Sequence, residues 1–137
     1  MKTINQTNIS IDECNAMFER ASEEANNQNI KIAFCVVDAS GVLKFFARMD
    51  GAPLIANDIA RKKALTAIGF GISSGEQWFN FIKDDPILRE GVNNIEDFIL
   101  LGGGMNIVVD GQPVGAIGVS GGHYKQDENC CLKALNQ

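Results

Sequence analysis

This chain is poor in the residues that most often carry catalysis and metal binding: its 137 residues include one histidine, one tyrosine and one tryptophan. A single imidazole excludes bis-histidine ligation within one chain. The four cysteines contain no C-x-x-C spacing, since Cys14 and Cys35 stand apart and Cys130 and Cys131 are adjacent. A structural zinc site is therefore not expected, and buried thiols in a reducing compartment are the simpler account. Positive charge is also scarce, with 12 Lys and Arg against 17 Asp and Glu and a net charge of −5, which argues against a nucleic-acid partner. The only basic cluster, Arg61-Lys62-Lys63, reads as a solvated helix face. No apolar run is long enough to span a bilayer, and the amino-terminal residues lack the apolar core of a signal peptide, so a cytoplasmic protein without membrane contact is expected. There is no P-loop, dinucleotide fingerprint or nucleophile elbow, and no linker or repeat divides the chain. Residues 1–137 are expected to form one domain with a sizeable core.

What the chain does have is glycine and β-branched residues in a telling order. Met105 to Val109 and Val114 to Ser120 are joined through Asp110-Gly111, a strong hairpin signal because glycine reaches the positive φ of a tight turn. In the second strand, alternation places Ala116, Gly118 and Ser120 on one face, leaving it nearly without side-chain bulk, so a helix or a flat ligand can come close. Gly102-Gly103-Gly104 and Gly121-Gly122 bracket the hairpin. Their unshielded N–H groups suit an anion, although turning the chain is the plainer explanation.

Helical spacing marks three further segments. Ser10 and Glu13 form a capping-box pattern ahead of Ile11, Cys14, Met17, Phe18, Ala21 and Ala25, a helix ending near Asn26. A second helix is expected from about Leu54 to Ile68, with Ala56, Ala60, Ala64 and Ala67 as a small-residue face. A final helix runs from about Gln126 to Leu135, with Asp127 and Glu128 in its first turn. Between the first two, Ile30 to Asp38 and Val42 to Arg48 form another hairpin. Ser73 and Glu76 suggest a capping box for a short helix at Gln77 to Lys83, stopped by Asp84-Asp85-Pro86, and Phe98 to Leu101 reads as a strand. Trp78, Phe79 and Phe81 suit either a subunit interface or a satellite core. The sum is an α+β domain with a mainly antiparallel sheet of about five strands flanked by helices.

Taken in order, Val37-Asp38-Ala39-Ser40-Gly41, Arg48-Met49-Asp50-Gly51-Ala52, Gly102-Gly103-Gly104 with Ile107 to Gly111, and Val114 to Gly121 with Gln126-Asp127-Glu128 resemble the GlcG/HbpS family of small haem-binding or haem-degrading domains. The resemblance runs from about Ile11 to Leu135. It implies a profilin-like fold, homo-oligomers and, in some members, a haem or other tetrapyrrole ligand. Related domains accompany glycolate, glycerol or propanediol use and form the carboxyl end of PduO-type adenosyltransferases.

The ligand contacts that follow are Arg48, Asp50, Gly51, Gly102, Gly103, Gly104, Ser120, Gly121, Gly122, His123, Tyr124, Gln126 and Asp127. His123 and Tyr124 are the only imidazole and phenol, and His123 is the candidate axial ligand to haem iron, weighed against an ordinary exposed loop histidine. Asp38 and Asp50 suit turn capping. Arg48 suits an ion pair with Asp50 or Asp127, or a ligand carboxylate. Asp127 is either a helix-capping carboxylate or a pocket acid. Two other functions remain open: an isomerase or lyase acting on a hydroxy acid or diol-derived metabolite, with Arg48, Asp50, His123, Tyr124 and Asp127 in one pocket, and a non-catalytic assembly or sensory module.

Overall fold

A computed structural model describes residues 1–137. The chain runs α1 (Ile11–Asn27), β1 (Ala33–Asp38), β2 (Leu43–Arg48), α2 (Ala56–Phe70), α3 (Glu76–Ile82), α4 (Pro86–Gly91), β3 (Gly104–Val109), β4 (Gln112–Ser120) and α5 (Tyr124–Ala134), with a 3₁₀ turn at Val92–Asn94 before β3. The four strands form one antiparallel sheet in the order β2-β1-β4-β3. This is four strands rather than five. Phe98 to Leu101 pairs with no strand, and the Leu100 carbonyl instead accepts from the Gly75 N–H at 2.6 Å.

Period-two alternation sends the sheet's side chains to two cores. Phe34, Val36, Ile107, Ile117 and Val119 face α1 and α5, where Cys14, Met17, Ala21, Cys130 and Cys131 complete the larger core. Ala33, Cys35, Val37 and Ala116 meet the alanine stripe of α2. The low-bulk face of β4 is thus occupied by a helix and not by a ligand. A Cβ on Gly118 would fall on the Ala60 carbonyl, so α2 can lie this close only because glycine is there. Each large apolar side chain buried in these cores is worth roughly 1.5–3 kcal/mol.

Several ends differ from the sequence reading. α2 begins at Ala56 and continues to Phe70. Ser10 Oγ accepts from the Glu13 N–H, but the Glu13 carboxylate pairs with Arg20, so only half of the capping box forms. Arg20 also donates to the Ala134 carbonyl and ties α1 to α5. No box forms at Ser73, because α3 starts from Gly75 with no side-chain cap. The short helix α3 ends at Ile82, ahead of Asp84-Asp85-Pro86 as expected, and the same segment also starts a helix: Asp85 Oδ1 accepts from the N–H groups of Ile87 and Leu88, and Pro86 occupies a first-turn position that needs no N–H donor. α5 begins two residues early, at Tyr124.

Residues 72–101, carrying α3 and α4, form an annex beside the sheet. Trp78, Ile82 and Val92 are its buried centre, and Phe70, Phe81 and Phe98 surround the indole with ring centroids 4.9, 5.7 and 5.1 Å away. Trp78 therefore belongs to a satellite core, whereas Phe79 and Phe81 remain more than half exposed. The indole N–H is buried without a hydrogen-bond partner. No helix is long and apolar enough to cross a membrane.

Candidate functional site

The residues singled out in the sequence gather at one end of the sheet, where β1 begins and β4 ends. Ala33 pairs with Arg48 on one side and Ser120 on the other. Next to β4, the Val119 N–H donates to the Gly103 carbonyl at 2.8 Å. They do not form one pocket. Arg48, Asp50 and Gly51 are exposed on the β2 side, and Arg48 pairs with neither Asp50 nor Asp127. Gly103, Gly104 and Ser120 are buried. A Cβ on Gly121 would fall on the Lys31 carbonyl, so that glycine serves a close backbone approach. Asp38 caps its turn, accepting from the N–H groups of Ser40 and Val42 at 2.9 and 3.0 Å.

Asp127 is sealed in the interior. Its Oδ2 accepts from Lys63 Nζ at 2.8 Å, and its Oδ1 from the Gly122 N–H at 3.0 Å. Lys63 Nζ donates also to the Val119 carbonyl at 2.8 Å. Both side chains of the pair are almost fully buried, which corrects the expectation that Lys63 lies on a solvated face. Only Arg61 and Lys62 of that cluster reach solvent, where they pair with Asp58 and Asp97. Burial pushes the Asp127 carboxyl up, while Lys63 and the Gly122 N–H work against that rise. The pair bridges α2, β4 and α5, a structural post with no opening to a ligand.

His123 is the N-cap of α5. Its Nδ1 accepts from the Lys125 N–H at 3.2 Å, and Gln126 returns the contact to the His123 N–H at 3.0 Å. A neutral imidazole that accepts at Nδ1 carries its proton on Nε2. Metal coordination through Nε2 would therefore compete with the cap. The His123 and Tyr124 rings lie 4.3 Å apart, and both residues are exposed.

Tyr124 lines a cavity of about 350 Å³ between the starts of α3 and α5. Phe79, Leu100 and Leu101 supply its apolar wall, and Glu76, Lys125 and Glu128 its charge. Gly75 and Gly102 make room for the Glu128 carboxylate, since a Cβ on either would collide with it. Gly75 also adopts φ +92°, a conformation that side chains disfavour. Burial first, and then the neighbouring Glu76, push the Glu128 carboxyl up from the usual glutamate range.

Of the expected contacts, only Gly102 and Tyr124 line this cavity. Phe79, Leu100, Lys125 and Glu128 were not anticipated as contacts. Glu128 lies within the Gln126-Asp127-Glu128 motif, but its helix-start position explains it equally well. All four cysteines are buried, and burial pushes the thiols of Cys35 and Cys130 to about 12 and those of Cys14 and Cys131 up as well.

Comparison with known proteins agrees with this fold. Protein GlcG of Escherichia coli (strain K12) is 33% identical over 114 residues, covering 82% of this chain and 81% of its own. The crystal structure of Klebsiella pneumoniae ORFY has a TM-score of 0.88 at 28% identity, covering 99% of this chain and 94% of that one. A structure described as a PduOC:heme complex has a TM-score of 0.87 at 24% identity, with 95% and 94% covered, and shows the likeness of fold. The family model described as haem degrading protein HbpS-like matches residues 9–136, and this chain belongs to that HbpS-like family.

Proposed function

We propose that this protein binds haem in the cavity between α3 and α5. The observation that carries the reading is a concave site of about 350 Å³ with an apolar wall and one phenol, within a chain of the HbpS-like family. The similarly folded PduOC was crystallised with haem. The donor chemistry of the cavity fits the group. Phe79, Leu100 and Leu101 offer apolar surface for a ring face, and the Tyr124 oxygen is a known type of axial ligand. Tyr124 leads as the iron-holding residue because its oxygen has no hydrogen bond to lose, whereas His123 must first give up its cap. Bound haem would supply a redox-active iron, and the chain's own residues bind it, orient it and screen one ring face from water.

Titration with haem, followed in the Soret region, tests this. Saturable binding near one haem per chain is expected. Tyr124→Phe should shift the Soret band and weaken binding, whereas His123→Ala should leave the spectrum close to wild type and lower stability by about 1 kcal/mol through loss of the cap. Absence of saturable binding would remove the proposal and redirect attention to smaller metabolites. The isomerase or lyase reading draws no comparable support, since Arg48 and Asp50 lie apart from Tyr124 and Asp127 is enclosed by Lys63.

A further inference from the structure

A second cavity, of about 450 Å³, lies on the other side of Phe79 and Leu100, which line both. Its remaining wall comes from α4 and the chain around it, with Lys83, Arg89 and Glu90 as its charged residues. The half-exposed Phe79 ring and Leu100, which packs against the annex core, are thus apolar surface common to the two cavities.

Their charges are opposite. The Tyr124 cavity holds two carboxylates, Glu76 and Glu128, against one ammonium, Lys125. The second cavity holds two cations, Lys83 and Arg89, against one carboxylate, Glu90. Neither cation is in an ion pair. The Arg89 guanidinium has only a long contact, Nη1 to the Lys83 carbonyl at 3.4 Å, which keeps it beside Lys83 with most of its donors unused. An acidic group entering the Tyr124 cavity would face Glu76 and Glu128, whereas the same group in the second cavity would meet a guanidinium able to bind it in bidentate fashion.

We infer that the two cavities are lobes of one site, and that a planar apolar ligand bearing carboxylates lies across Phe79 and Leu100 with its acidic edge on Lys83 and Arg89. This rests on the haem-binding reading and deepens it. The lobe at Tyr124 takes the ring and its metal, the lobe at Arg89 takes the propionates, and the charge difference between the lobes sets the direction in which the ligand enters. Arg89 is thereby a specificity-determining residue: it separates tetrapyrroles with free carboxylates from those without them.

The experiment compares haem with haem dimethyl ester, whose carboxylates are masked, on the wild-type protein, Arg89→Glu, the Lys83→Gln/Arg89→Gln double variant, and Lys133→Glu. The last makes the same charge change as Arg89→Glu at a position on α5 outside both lobes. Lys83 and Arg89 lie at the surface of the annex, outside its buried centre, so the variants should fold, which circular dichroism verifies. Arg89→Glu should weaken haem binding at least tenfold and the double variant several-fold, with the ester little affected and Lys133→Glu close to wild type. Equal affinity of Arg89→Glu and wild type for haem would overturn the inference while leaving haem binding in place, and so would equal weakening for haem and its ester. A wild-type protein that binds neither compound would overturn the haem reading itself, and this inference with it.

Discussion

At the scale of single residues, the decisive feature is the Lys63–Asp127 pair. Two opposite charges removed from water stay favourable only while each has its partner and its remaining hydrogen bonds. Asp127→Ala would leave the Lys63 ammonium buried with the Val119 carbonyl as its one acceptor. The expected loss is about 3–5 kcal/mol, read from the urea midpoint, and the double replacement Lys63→Met with Asp127→Leu should recover much of it. A loss below about 1 kcal/mol for the single change would mean that water reaches the site. The burial of Lys63 was legible in the spacing. It stands three residues after Ala60 and four before Ala67, on the alanine stripe itself, while Arg61 and Lys62 rotate away. Successive helical residues point in different directions, so three adjacent basic residues cannot share one face. His123 is the opposite case. Its position one residue before a helix lets the ring accept from a backbone N–H, a role that only a correct α5 boundary reveals.

At the scale of elements, glycine sets how closely layers approach. Gly118→Ala would place a methyl group on the Ala60 carbonyl of α2 and force that helix from the sheet, at an expected cost of about 1–3 kcal/mol. Gly69 is exposed near the end of α2, and a methyl group added there would meet nothing within 4 Å. It should respond in the opposite direction, Gly69→Ala gaining about 0.5–1 kcal/mol. Thermal unfolding of the two variants measures both signs in one host. The hairpin at Asp110-Gly111 and the helices α1, α2 and α5 were readable because each rests on a local rule: turn chemistry, capping or periodicity. α4 was missed through the same local rules. Asp-Pro here both follows the end of one helix and begins the next, and the short apolar pattern of Ile87 and Leu88 carries too little periodicity to mark the second.

At the scale of the whole molecule, the sheet is held between two large layers while the annex depends on a small cluster of its own. Fewer buried apolar contacts mean a lower free energy of local opening. Backbone amides of residues 76–95 are therefore expected to exchange with solvent well before those of β1 and β4, measured by hydrogen exchange under native conditions. Uniform protection across annex and sheet would contradict this picture. The same geometry explains why the candidate site was hard to read in the sequence. Its walls come from α3 and from α5, about fifty residues apart, and they meet only because β3 and β4 carry the chain back across the sheet. Glycines, histidine and tyrosine could be noticed one at a time. The contributions of Phe79 and Leu100 exist only once the annex has docked.

Trp78 gives that arrangement a practical consequence. As the sole indole in the chain, enclosed by three phenylalanine rings with its N–H unpartnered, it is the only strong ultraviolet emitter, and it sits in the least deeply anchored part of the molecule. Fluorescence will therefore report on the annex and not on the sheet. An unfolding curve taken by emission follows the loosening of α3 and α4, one taken by circular dichroism follows the bulk of the helices, and a gap between their midpoints is a direct reading of how far the two parts of this fold are coupled.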